Sequence, residues 1–262
     1  PNLVQMDPFA MGRVAHNDPG NAHAIPWMWG TAGLGYNPAR VAKVLGTDRL
    51  DSWDAVFDPA VASKLAKCGI AFMDVPEDNL MIARIYLGLD PNSLDIGDLA
   101  AAEALLKRAR PYIRYFNTSQ IVNDLASGEI CVAVNWNGYI IQARDRGAAA
   151  DTPVEIAFVI PKEGSYIWFD VAAMPADAPH PENAHAFLNY LMEPEVIAKV
   201  SNRIGYANGN LASLPFLDAR VRDDPAVYPP EEIRLKLPPD TAETPPYIRE
   251  ASRAWTRIKT GH

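Results

Sequence analysis

The chain has 262 residues, 48% of them hydrophobic and 21% charged, with a formal net charge of −8. That is enough for one large or two medium globular domains. No apolar run approaches the ~20 residues a bilayer span needs, so no membrane insertion is expected. An acidic chain lacks the surplus of Lys and Arg that neutralises phosphates, so no nucleic-acid partner is expected either, while a cationic ligand is compatible.

The chain opens on Pro1 with no basic segment followed by an apolar one, which reads as a fragment or a processed piece of something longer. Residues 21–37, "NAHAIPWMWGTAGLGYN", are rich in aromatics and glycine and read as extended backbone with tight turns. Within it, "GTAGLG" runs almost at once into Asn37-Pro38, so a phosphate-binding loop is not expected. "DSWDAVFDPAVASKL" has a Ser/Asp cap region and a helical pattern, and "CGIAFMDVPEDNLMIARIYLGLDPNS" reads as a short strand, a turn and an amphipathic helix. Glu77 and Asp78 fall in the first turn of that helix, where negative charge complements the helix dipole whether or not it does anything else.

"DLAAAEALLKRAR" is a helix stopped by Pro111, and "TSQIVNDLASGEICVAVNWNG" is a capped helix followed by a strand over residues 130–136. "VEIAFVIPKEG" and "SYIWFDVAAMP" read as two strands joined by a Lys-Glu-Gly turn. Asp170 stands in the second, beside Trp168 and Phe169, where a carboxylate is costly to bury without a partner. A helix from Pro181, a break at Pro194 and a second helix to Gly205 come next, and a last helix carries "IREASRAWTRIK". Strands alternating with helices argue an α/β architecture, in which ligands sit beyond the carboxyl ends of strands.

Catalytic motifs are absent: no GxSxG, HExxH or Walker loop occurs. The five histidines (His16, His23, His180, His185 and His262) have no metal spacing, and no cofactor or metal is expected. Asp170 with Asp78 is the one acid pair that could serve a glycosidase. The two cysteines, Cys68 and Cys131, read either as buried free thiols or as one disulfide closing a long loop.

Ten segments, taken in order, carry a resemblance: "YNPARV", "DSWD", "KCGIAFMDVPED", "YLGLDPNS", "IRYFNTSQIVNDLASGEICVAVNW", "IPKEGSYIWFDVAAMPADA", "FLNYLMEPEVIAKVSN", "YANGN", "YPPEEIRLKL" and "RAWTRIK". Together they resemble the periplasmic polyamine-binding proteins of bacterial ABC importers, the putrescine and spermidine branch in particular. The resemblance implies a two-lobe periplasmic binding protein fold of type II, with mixed sheets flanked by helices and a hinged cleft. It places residues 1–25 and 151–205 in lobe one, which would lack its N-terminal part, and residues 26–150 and 206–262 in lobe two. It implies no enzyme activity, a polyamine ligand, a permease partner and a periplasmic location. A binding protein that senses amines for a signalling partner would share the same cleft.

Carried over residue by residue, the resemblance makes Asp170 the ammonium-binding aspartate, Trp168 and Trp136 aromatic walls, and Tyr206 a further contact. Asp78 stands where the family usually has Glu, for the far ammonium, with Glu77 a less favoured substitute. Tyr139 stands where the family has a second aspartate, which implies a ligand profile shifted from putrescine. Trp168 and Asp170, two apart on a strand, would share a face, with Phe169 and Val171 on the packed side. The resemblance also implies a Cys68–Cys131 disulfide.

Overall fold

A computed structural model describes residues 2–261. The seven strands are β1 (Ala24–Tyr36), β2 (Ile70–Phe72), β3 (Ile113–Phe116), β4 (Val132–Trp136), β5 (Ala157–Val159), β6 (Ile167–Ala173) and β7 (Ala207–Asn208). The chain forms two compact units. Unit 1 comprises Pro1–Gly30, Ile167–Leu235 and Pro239–Thr241; unit 2 comprises Thr31–Tyr166, Lys236–Pro238 and Ala242–His262. The outermost residues of those ranges, Pro1 and His262, lie outside the described residues, as do the corresponding ends of the expected lobes. The divisions fall after residues 30 and 166, where the resemblance put them after 25 and 150, and residues 206–235 belong to unit 1 rather than to the lobe expected for them.

Unit 2 is built on a mixed sheet in the order β3-β2-β4-β1-β5. β2 runs parallel to β3 and β4, while β1 is antiparallel to β4 and β5. Residues 30–36 of β1 are buried without alternation, as expected of a strand covered on both faces. Here the structure corrects the tight turns expected in residues 21–37: β1 is one unbroken strand. Its glycines admit neighbours instead of turning the chain. A Cβ on Gly33 would collide with the Val159 carbonyl and the Phe158 ring, and one on Gly35 with Ile140.

The helices start where capping chemistry puts them. Asp58 accepts from Ala60 N ahead of Pro59–Leu65, and Asp95 accepts from Gly97 N and Asp98 N ahead of Ile96–Ala109. Helices Gln120–Ser127 and Asn137–Ala148 supply Ile121, Leu125 and Ile140 to a core shared with Ala71, Ala133 and Ile156. The C-terminal helix Pro245–Thr260 is held by Trp255 Nε1 donating to Asp74 Oδ1 at 2.8 Å and by Arg257 paired with Glu103 at 2.7 Å. Cys68 and Cys131, both buried, form a disulfide with Cα atoms 5.5 Å apart, which closes a 63-residue loop within unit 2.

In unit 1, β7 is antiparallel to β1, and β6 also pairs with β1. The two strands read on either side of the Lys-Glu-Gly turn are present as β5 and β6, and each pairs with β1. β5 and β6 both lie along β1, and a turn closed by Gly164 N donating to Pro161 O, with Gly164 at φ 103°, carries the chain between them. An aromatic cluster forms the core: Trp29 meets Phe9 and Phe169 at 6.3 Å and Tyr228 at 5.7 Å. The Arg234 guanidinium sits 4.1 Å over the Phe9 ring.

Candidate functional site

The residues proposed to contact ligand divide evenly between the units, and each set is built by its own elements.

In unit 1, strand β6 carries Trp168 and Asp170. Tyr206 follows Gly205, which ends helix Pro194–Ile204 in the left-handed conformation at φ 76°, and it precedes β7 directly. A buried polar network locks this segment. Asn208 Nδ2 donates to Ser201 Oγ at 2.9 Å, Ser213 Oγ donates to Asn208 Oδ1 at 2.9 Å, and Asn210 Nδ2 donates to the Met192 carbonyl. The outcome is an edge-to-face pair: the Trp168 and Tyr206 rings lie 4.9 Å apart at 81°.

Asp170 is exposed as a residue, yet the surrounding chain still strips water from it, and burial pushes its carboxyl above the ordinary carboxylate range. No hydrogen bond or ion pair reaches its carboxylate among the described residues. Phe169 turns the other way, into the aromatic core, 6.1 Å from Phe9. Val171, expected to pack with it, is instead 47% exposed. β6 pairs only with β1 among the described strands, and the helix Pro181–Leu191 has no buried residue.

In unit 2, Trp136 ends β4 and Asn137 starts the next helix, so Tyr139 stands in that helix's first turn. The Trp136 and Tyr139 rings are 5.8 Å apart at 53°, and Tyr139 packs on the core of Ile121, Ala133 and Ile140. Asn135 Nδ2 donates to the Thr118 carbonyl at 3.0 Å, and Thr31 N donates to Asn137 Oδ1 at 3.1 Å, which fixes the backbone on either side of Trp136.

Asp78 is buried in the first turn of helix Pro76–Leu87, and Glu77 beside it is half-buried. Asn79 sets the entry to that helix by donating to the carbonyls of Met73 and Val75 at 2.9 and 2.6 Å. β2 and β4 are parallel with Phe72 opposite Val134; Asp78 follows β2 and Trp136 ends β4, so both come at the carboxyl ends of neighbouring strands. Among the described residues no group of three or more His, Cys, Asp or Glu could hold a metal, and no helix is long and apolar enough to cross a membrane.

Two residues escaped the sequence reading. Tyr166 accepts from Trp136 Nε1 at 3.2 Å; a tyrosine at the head of an apolar strand was the available signal, since a buried phenol seeks a partner. Glu163 accepts from Ser52 Oγ at 2.5 Å and from Trp53 N at 3.1 Å, clamping the 161–166 segment within unit 2.

The family model described as "Bacterial extracellular solute-binding protein" matches residues 2–229. The chain is 45% identical over 263 residues to the putrescine-binding periplasmic protein PotF of Escherichia coli (strain K12), covering 100% of this chain and 71% of that one. It is 43% identical over 265 residues to the putrescine-binding periplasmic protein SpuD of Pseudomonas aeruginosa (strain UCBPP-PA14), again covering 100% of this chain and 71% of that one. Among solved structures, a putative spermidine/putrescine ABC transporter from Listeria monocytogenes matches with a TM-score of 0.85 at 25% identity, over 100% of this chain and 76% of that chain.

Proposed function

The chain belongs to the bacterial extracellular solute-binding protein family, and from that membership we propose that it captures a polyamine in the periplasm and delivers it to an ABC permease. The observation that carries the reading is the Asp170 carboxylate: ionisable, short of water, and without a cation among the described residues, on the strand that also carries half of the Trp168–Tyr206 aromatic pair. A polyamine offers the complement. Its ammonium groups make charge-assisted hydrogen bonds to carboxylates, and its methylenes and charges suit aromatic faces.

In this reading the ammonium-binding set of unit 1 is Asp170, Trp168 and Tyr206. The set of unit 2 is Asp78, a carboxylate for an ammonium, with Trp136 and Tyr139 as aromatic surface for methylenes. Tyr139 offers a neutral phenol rather than a second carboxylate, so the ligand profile favours a longer polyamine or a guanidino compound over putrescine.

Titration calorimetry with putrescine, spermidine and agmatine tests the reading. Binding of at least one of these, lost in Asp170→Asn, is expected. Absence of heat with all three overturns it.

A further inference from the structure

An indole that walls a ligand works best when its plane is set before the ligand arrives. Trp136 is half-buried at the end of β4, and two phenols of its own unit hold it. Tyr139 meets it ring to ring at 5.8 Å. Tyr166 accepts from the indole Nε1 at 3.2 Å.

Tyr166 is itself held. It is fully buried, and its neighbour Ser165 donates from Oγ to the Ala32 carbonyl at 2.7 Å. Ala32 is the β1 residue directly opposite Trp136 in the β1–β4 ladder. One rung of the sheet therefore carries the indole on one strand and, on the other, anchors the segment that presents the phenol. Being fully buried, the Tyr166 hydroxyl has no surface to offer a ligand; what it can govern is the angle of the indole.

We propose that Tyr166 is the positioning residue for Trp136, fixing the indole plane through the Nε1–H hydrogen bond so that the aromatic wall of unit 2 is formed before binding. Preforming the wall removes the cost of ordering a large side chain at the moment of association. The inference rests on the amine-binding reading of the same site.

A double-mutant cycle in the full chain tests it, with putrescine and spermidine as calorimetric probes. Tyr166→Phe keeps the ring and its packing but removes the acceptor, and is expected to weaken binding by about three- to ten-fold, the range of one hydrogen bond. In a Trp136→Phe background, which has no indole N–H, the same exchange is expected to leave affinity unchanged. The Trp136 indole ¹H–¹⁵N resonance, assigned by its loss in Trp136→Phe, should move in Tyr166→Phe.

An equal weakening in both backgrounds marks a purely structural role and overturns the proposal, as does unchanged affinity in Tyr166→Phe with a moved resonance. Should Tyr166→Phe fail to fold, hydrogen exchange in the unaltered protein decides: slow exchange of the Trp136 indole proton without ligand supports the proposal, and fast exchange overturns it. Wild-type protein that binds neither amine overturns the amine-binding reading and this inference together. Wild-type protein that binds but shows no coupling overturns this inference alone.

Discussion

Asp170 is held in the folded protein in a state that costs stability. Burial raises its carboxyl above the ordinary carboxylate value, so between that value and the raised one the folded chain binds more protons than the unfolded chain. This group's contribution to stability therefore falls as pH rises through that window and stays low at neutral pH. Asp170→Asn removes the penalty. It is expected to raise the melting temperature of the unliganded protein at pH 7 while abolishing amine binding, with the stability gain shrinking toward pH 4. Differential scanning calorimetry of both proteins across pH checks this, and a lower melting temperature for Asp170→Asn at pH 7 would count against it. Binding should also weaken in acid at a higher pH than for an ordinary carboxylate, because a protonated Asp170 offers no charge. At Tyr139, exchange for Asp is expected to shift preference toward putrescine, read as the ratio of putrescine to spermidine Kd; an unchanged ratio removes Tyr139 from the specificity set. The inward turn of Phe169 was legible in the sequence, because a strand alternates every second residue. The exposure of Val171 was not, because alternation says which way a side chain points and not whether anything lies there.

At the scale of elements, the glycines of β1 and the disulfide do the same kind of work in unit 2. Each holds segments distant in sequence at close approach. Gly33 lies under the Val159 carbonyl and Phe158, so Gly33→Ala forces strands apart and is expected to cost about 1–3 kcal/mol, the usual range for overpacking. Urea unfolding monitored by circular dichroism measures it. The Cys68–Cys131 bond restrains a 63-residue loop of the unfolded chain, and Cys131→Ser is expected to cost about 2–4 kcal/mol in the same assay. Under strong reductant the wild type should fall to the stability of Cys131→Ser; identical curves with and without reductant would show the bond to be dispensable. The helices were legible because their caps and prolines are local signals. The true course of β1 was not, because a glycine-rich apolar run looks alike whether it turns or is packed on both faces. The partner of β6 was hidden for a related reason: strand pairing is a long-range choice, and β5 and β6 both chose β1 over each other.

For the whole molecule, the class of fold was readable from ordered segments spread along the chain. The division into units was less so, since the chain crosses from unit 1 to unit 2 inside an unbroken strand, after Gly30. Net charge, by contrast, needs no structure, and it carries a kinetic consequence. A chain of formal charge −8 sets up a negative field that draws polycations in before any contact forms. Salt shortens the reach of that field from about 30 Å at 0.01 M to about 3 Å at 1 M. The association rate of a polyamine should therefore fall with ionic strength, and more steeply for spermidine than for putrescine, since spermidine bears the greater charge. Dissociation, governed in the proposed reading by short-range contacts with Asp170 and the aromatic rings, should change far less. Stopped-flow tryptophan fluorescence at low and high salt separates the two rates. Equal salt slopes for the two amines would mean that the overall charge does not guide capture, and would leave recognition to the local carboxylates alone.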